Sequence, residues 1–357
     1  MRLLKICFLF TLVLGIAACS GGGTNSAGVE RNNSSSSDGN VDSGELPPED
    51  DEPDPDPETP TSVQLDGNLY FPVPEGATWV YDNGDQVDFI HDITIRGREL
   101  VAMQHSSAGM PEQEYFKVDN DIIQYGGVYA NLADLPGFEG FAVEGGVEFH
   151  NLRQVYNHRT DSGWGRTLLP LNADLVDPDG VVVAEVDYYW SSVVGEKGLV
   201  DAGLMGLVPA VELRINVDLS ITVGGIPLQN IPVIATSLWL SPGLGVVARS
   251  VGETTVKLEQ VDAIQRPVVF AFDQGSGLDQ PAKQLLVDGN PLTDLDAGMV
   301  IAYGTSATDW LALEFDGTGS WRLSITGDEL PSGIQGAVVQ ITRNGVRTDV
   351  PVSVLVR

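Results

Sequence analysis

Residues Val211–Val223, VELRINVDLSITV, decide the fold class. Val211, Leu213, Ile215, Val217, Leu219, Ile221 and Val223 take alternate places. Glu212, Arg214, Asn216, Asp218, Ser220 and Thr222 fill the places between. Successive side chains of an extended chain point to opposite faces, so this pattern reads as a strand with one apolar face. At a rise of ~3.3 Å per residue it would be about 40 Å long. That length suits a large curved sheet or half-barrel better than a small sandwich.

Working outward, the same alternation recurs and helical periodicity is nearly absent. Thr78–Tyr81 runs into the turn Asp82-Asn83-Gly84-Asp85, where Asn-Gly supplies the positive φ of a tight hairpin. Asp88–Ile95 and Glu99–His105 are joined by Arg96-Gly97-Arg98, and Tyr115–Val118 and Ile122–Tyr125 by Asp119-Asn120-Asp121. Val181–Val194, Ile231–Leu240, Gly245–Val251 and Thr254–Val261 complete an antiparallel meander. A short helix is expected near Ala130–Leu135. These elements define a first domain over residues 63–264.

Arg266-Pro267 breaks the pattern. Seven short strands then follow at even spacing: Val268–Phe272, Gln284–Val287, Met299–Tyr303, Trp310–Phe315, Trp321–Ile325, Ala337–Thr342 and Val350–Val356. Asn344-Gly345 marks a hairpin before the last of them. This reads as a seven-stranded immunoglobulin-like sandwich over residues 265–357. The fold class expected is therefore all-β, in two domains.

The amino terminus is organised as a secretory signal. Arg2 and Lys5 precede the apolar run Ile6–Ile16, which is too short for the roughly 20 residues a spanning helix needs. Ala17 and Ala18 then stand before Cys19. This arrangement resembles the bacterial lipobox. The resemblance implies that residues 1–18 are cleaved, that Cys19 carries diacylglycerol, and that the membrane is a partner through that lipid. Because Ser20 rather than Asp follows Cys19, it also implies the outer membrane, with the periplasmic or surface face left open. Cys7 lies inside the signal, so no thiol remains for a disulfide or a metal.

Residues 19–62 form the lipidated cysteine and a low-complexity tether. Ser20–Ser62 is rich in Ser and Gly, then in Asp and Pro, and has too little apolar surface to offset the entropy of ordering. Pro53, Pro55 and Pro57 stiffen it toward an extended form. Asp54 and Asp56 lack the glycine turn and bidentate ligand of a calcium loop.

The chain of 357 residues carries a formal charge of −31. Setting aside the −10 of Ser20–Ser62 and the +2 of Arg2 and Lys5 leaves −23 for the remainder. Such a surface repels nucleic acid phosphates and anionic lipid head groups, so no nucleic acid is expected as a partner.

Two further resemblances concern the domains. Tyr70-Phe71-Pro72, Gly76, Trp79 and Tyr81 are similar to the opening Y-F-P-L-x-x-G-x-x-W-x-Y of many bacterial lipoprotein domains. Trp239-Leu240-Ser241-Pro242-Gly243-Leu244-Gly245 resembles their closing segment. Val194-Gly195-Glu196 and Asp201-Ala202-Gly203 stand where a middle motif would, with Leu204 in place of its usual aromatic. Those motifs are turns and core aromatics, and similarity to lipoprotein-carrier half-barrels implies a concave apolar face. In the second domain, Trp310-Leu311, Gly317 and Gly319, Leu330-Pro331-Ser332-Gly333, Ala337–Ile341 and Val350–Val354 resemble the BACON family of bacterial Ig-like domains. Gln335 stands near that family's usual Tyr. The resemblance implies an adhesion or carbohydrate-associated module.

The residues themselves carry few chemical signals. Sugar platforms need exposed aromatics beside polar groups. Trp164, on the glycine-rich loop Asp161–Arg166, and Trp310 and Trp321 are the candidates. The last two also fit core positions. His91, His105, His150 and His158 form no paired zinc spacing and read as ordinary strand residues. There is no Gly-x-Ser-x-Gly elbow and no phosphate loop. Asp177-Pro178-Asp179-Gly180 reads as a turn. No catalytic residue, metal or cofactor is assigned. The expected function is a non-enzymatic binding, adhesion or structural lipoprotein that recognises glycan or an envelope protein. The alternative is a carrier that holds a lipid or other hydrophobic ligand on the concave face of the first domain. A hydrolase comes third.

Overall fold

The computed structural model describes residues 60–357, apart from 75, 108–109, 132–143, 224–225, 252–253, 263, 274–281, 295–296, 306, 318 and 327–329. The signal, Cys19 and the tether up to residue 59, with Asp54 and Asp56, lie outside the described residues. The described chain is all-β. Its only helical element is a single 3-10 turn at Gly203–Met205.

The strands in chain order are β1 Thr61–Gln64, β2 Thr78–Tyr81, β3 Gln86–Ile95, β4 Arg98–His105, β5 Gln113–Val118, β6 Ile122–Asn131 and β7 Glu144–Asn157. Then come β8 Gly165–Arg166, β9 Leu171–Val176, β10 Val182–Asp201, β11 Leu207–Val223, β12 Ile226–Ser241, β13 Gly245–Val251 and β14 Thr254–Val261. The C-terminal part adds β15 Val268–Phe272, β16 Lys283–Gln284, β17 Leu286–Val287, β18 Asn290–Pro291 and β19 Gly298–Tyr303. It ends with β20 Leu311–Phe315, β21 Trp321–Ile325, β22 Gly333–Arg343 and β23 Val346–Val356.

The large curved sheet runs β11-β12-β13-β14-β2-β3-β4-β5-β6-β7-β9-β10, with β8 beside β10. β10 also pairs antiparallel with β11, from Asp187↔Ser220 to Asp201↔Leu207. The half-barrel expected from strand length therefore closes into an antiparallel ring. Along β11, Val211, Leu213, Ile215, Val217 and Leu219 are buried, while Arg214 and Asn216 are exposed. Ala130 and Asn131 extend β6 rather than starting a helix, and 132–135 lie outside the described residues. Closing the ring takes sharp local curvature. At Gly127, where β6 shifts register against β5 and β7, φ is +153°. A Cβ there would stand 2.3 Å from the Val147 carbonyl oxygen, so only glycine fits.

The interior of the ring is filled with rings of another kind. Phe149 stacks on Tyr188 at 4.3 Å, Tyr125 on Trp190 at 5.8 Å, and Phe116 meets Tyr125 edge-on at 5.1 Å. Trp79, Phe116, Tyr125, Phe149, Tyr188 and Trp190 are all at most 2% exposed.

Six of the seven strands expected of the C-terminal domain are present; the seventh, Gln284–Val287, is split into β16 and β17, which belong to different sheets. β1, β19, β22, β23 and β15 form one sheet; β16, β21 and β20 form a second across a shared core, with β17–β18 as a small hairpin. Asn344 and Gly345 both have positive φ at the β22–β23 turn, as the Asn-Gly pair predicts. One strand of this sheet comes from elsewhere. Thr61–Gln64, at the end of the expected tether and the start of the expected first domain, pairs parallel with β19. Its four side chains are all exposed, so no apolar alternation announces it.

The larger sheet of the sandwich is buried on both faces. Ile301, Tyr303, Ala337, Val339, Ile341, Val350, Val352 and Val354 face the sandwich core. On the other face, Ala302, Ile334, Val338 and Leu355 belong to the hydrophobic cluster that also holds Leu69 and the ring's apolar residues. This explains why β22 and β23 read as nearly continuous apolar runs rather than alternating ones. The two lipoprotein-like motifs form the seam. Trp79 Nε1 donates to the Leu244 carbonyl (2.7 Å) and Tyr81 Oη to that of Val246 (2.8 Å). Gly243 N donates to Leu69 O at 2.7 Å, and a Cβ on Gly243 would stand 2.4 Å from Pro351 Cβ.

Candidate functional site

Two clusters of titratable side chains occupy opposite faces of the ring. The inner one begins at the Asp82–Asp85 turn. Asp85 Oδ1 accepts from the backbone N–H groups of Ser106 (3.0 Å) and Ser107 (2.9 Å), which leaves Oδ2 to accept from His105 Nδ1 at 2.7 Å. His105 ends β4. Its Nε2 lies 3.2 Å from Glu114 Oε2 on β5, and Arg249 Nη1 of β13 donates to the same oxygen. Tyr125 Oη on β6 donates to Glu114 Oε1 at 3.1 Å. The side chains of Asp85, His105, Glu114 and Arg249 are at most 5% exposed.

With His105 protonated, the two carboxylates are balanced by the guanidinium and the imidazolium, the condition under which buried charge is tolerated. Burial pushes the Glu114 carboxyl up, but Arg249 and His105 outweigh it and hold the group at about 2. Burial works against charge on His105 as well. Its contacts with Asp85 and Glu114 prevail and raise it above the ordinary histidine value. Both ring nitrogens are engaged by carboxylates, so neither is left to take a proton from a substrate. The void beside the group is about 10 Å³, room for one water at most. This is a strut inside the barrel.

The outer cluster lies where β7, β9 and β10 run side by side. Register places Glu148 opposite Asp174 and Asp174 opposite Glu185, a row of three carboxylates across neighbouring strands. Like charges directly opposite destabilise a sheet. The β3–β4 hairpin tip supplies the compensation. Arg96 pairs with Asp174 Oδ2, His150 Nε2 lies 2.8 Å from Asp174 Oδ1, and Arg98 donates to the carbonyl oxygens of Phe149 (3.2 Å) and His150. Burial, then Arg96, lowers the His150 pKa; burial raises that of Glu148 against the pull of Arg96.

His150, Asp174 and Glu185 have donor atoms within 4.8 Å of one another, a spacing that suits a metal. However, both Asp174 oxygens are already taken by Arg96 and His150. Arg96 and Arg98 offset two of the three carboxylates, and the cluster clamps the hairpin tip onto the outer face.

Beside that clamp lies an open groove of about 720 Å³. Leu100 and Leu152 line its apolar part; His91, Asp92, Arg98, Glu99 and Lys117 line its polar part. Asp92 has φ +59° at the point where β3 bulges against β4, between Ile90 and Ile93. Such bulges redirect side chains, here those of His91 and Asp92 toward the groove. His91 Nε2 is buried and has no hydrogen-bond partner among the described residues.

Of the tryptophans singled out in the sequence, Trp164 alone is exposed, at 51%, with the Arg153 guanidinium 5.9 Å from its ring. Trp310 and Trp321 are each 2% exposed in the sandwich core, so neither offers a ring face to a sugar. Trp321 Nε1 is held by the Asp294 carbonyl at 2.9 Å. Asp177 spends its carboxylate on its own turn, accepting from Asp179 N (3.0 Å) and Val181 N (2.9 Å). His158 packs against Tyr70, with ring centroids 5.6 Å apart.

Sequence reasoning passed over the inner group. Asp85 was legible only as a turn residue. Arg249, a lone base in the apolar strand GVVARSV of an acidic chain, is the signal that could have found it. Compared with known proteins, the chain matches no family model and no curated sequence.

Proposed function

We propose that the chain is a non-enzymatic cell-envelope lipoprotein, held at the outer membrane by acyl groups on Cys19, that works as a binding or structural module. The observation that carries this reading is the filled ring. The aromatic stack from Phe116 to Trp190 and the neutral group around Glu114 occupy the space a carrier would need for an acyl chain. Recognition is then left to the surface. Trp164, exposed above Arg153, is the contact residue for a glycan or an envelope protein. The acidic exterior turns nucleic acid away.

Metabolic labelling with an alkyne fatty acid, followed by membrane fractionation, tests the address. The wild-type chain takes up label and floats with outer membranes, and Cys19→Ser does neither. Equal labelling of both chains would refute the lipid anchor. On a glycan array, Trp164→Ala is expected to lose whatever signal the parent chain gives. An unchanged signal would remove Trp164 from the contact.

A further inference from the structure

We infer that Trp164–Pro170 is a membrane-docking loop, which seats Leu168 and Leu169 in the interfacial layer of a lipid bilayer. The register of β10 carries the argument. Gly165 and Arg166 pair with Ser192 and Ser191 of β10. Thr167 N donates to Trp190 O at 2.9 Å, and Trp190 N to Thr167 Oγ1 at 3.0 Å. Pairing resumes with Leu171 opposite Tyr188. Leu168, Leu169 and Pro170 thus stand against the single residue Tyr189 and are extruded from the ladder. Leu168 is 92% exposed and Leu169 76%. Two aliphatic side chains are held out in water by a loop pinned on both sides and stiffened by proline, an arrangement the ring's own packing does not use.

Two observations favour a bilayer over a protein pocket as the occupant. The first is chemistry. Of the bases near the loop, Arg153 is buried and Arg159 is paired with Asp121, which leaves Arg166 as the one that can face a headgroup, in a chain of net charge −31. Asp161 is itself paired with Lys197, while Arg166 is exposed with no ion pair among the described residues. Trp, Leu and Arg together are the residues that sit at a headgroup boundary. Asp187 and Asp218 lie on the neighbouring strands, so apolar insertion drives docking and anionic lipid adds only modestly. The second is size. A stable protein interface needs about 800 Å² per partner, far more than one Trp and two Leu supply. Insertion into lipid needs no matching surface.

The setting rests on the lipoprotein reading. Residues 20–60 span at most about 140 Å, so a lipid on Cys19 would keep the loop near a bilayer and make weak docking effective. The test does not need that lipid. The chain from Ser20 onward is floated with vesicles of phosphatidylethanolamine and phosphatidylglycerol, and separately of phosphatidylcholine. The parent chain is expected to float with both, because its net negative charge offsets the pull of Arg166 toward the anionic vesicles. Leu168→Asp with Leu169→Asp reduces flotation tenfold or more, Arg166→Gln a few-fold in the anionic vesicles, and Leu204→Asp, at another exposed leucine, not at all. The chain from Ser20 has no cysteine, so Leu168→Cys carrying a polarity-sensitive dye reads insertion without a charge substitution and shifts blue with vesicles. A parent chain that stays at the bottom, a double variant that floats as well as the parent, or a dye shift that follows protein concentration rather than lipid would overturn the inference. Loss of docking with Cys19 still acylated in cells would leave the anchor standing; the reverse would leave the loop standing.

Discussion

Two histidines of the ring, His105 and His150, each lie within hydrogen-bond distance of a carboxylate and near an arginine, and they behave in opposite ways. His105, inside, has a carboxylate at each ring nitrogen and its pKa is raised. His150, outside, has Asp174 at Nε2 and two guanidiniums close by, and its pKa is lowered. Burial alone would depress both. The number of carboxylates meeting the ring decides the difference, and with it the role. Inside, charge is locked into a neutral strut. Outside, charge clamps a hairpin beside a groove open to solvent.

Removing the inner cation tests that contrast most severely. Arg249→Met leaves the buried Glu114 carboxylate short of its main counter-charge. It should cost about 3–5 kcal/mol in denaturant unfolding. A cost below ~1 kcal/mol would mean that the group is wetter than its burial indicates.

Acid tests it next. Glu114 is held at about 2 in the fold, below its ordinary value. Its contribution is therefore complete above the unfolded carboxylate range and lost as pH falls toward 2, about 3 kcal/mol in all. Glu114→Gln should flatten this part of the stability curve. His105 works in the other direction. Its raised pKa gives stability that is full below the ordinary histidine value and declines as pH rises through the folded one. The parent chain should thus be most stable in mildly acidic solution.

The smallest effect belongs to the outer face. Arg96→Ala should cost about 1 kcal/mol or less, because its side chain is 32% exposed and the pair is screened. It should also raise the His150 pKa, which proton NMR can follow. A cost as large as that at Arg249 would erase the distinction between the faces.

The architecture was legible wherever one face of a strand is buried. β11, β15 and β19–β21 follow from alternation, and the β22–β23 hairpin from its Asn-Gly turn. What alternation misses is pairing that depends on backbone alone. β7 opens with Gly145-Gly146, where a Cβ on Gly145 would meet the Val176 carbonyl oxygen at 2.2 Å. β1 has no buried side chain at all. Closure of the ring rests on β10 meeting both β9 and β11, which no local pattern specifies. The site was less legible than the fold. Trp310 and Trp321 are as apolar in sequence as Trp164, and only tertiary burial separates them. Asp85 and Arg249 are 164 positions apart and are joined through His105 and Glu114 because the ring brings the β2–β3 turn, β4, β5 and β13 together.

In the proposed function the ring is a solid body whose recognition surface is outside. Native mass spectrometry of the chain from Ser20 to Arg357, purified after mild extraction from cells, tests this most directly. The expected result is the mass of the polypeptide alone. An acyl lipid retained in stoichiometric amount, released only on unfolding, would mean that the aromatic interior opens to hold a ligand, and would contradict the account.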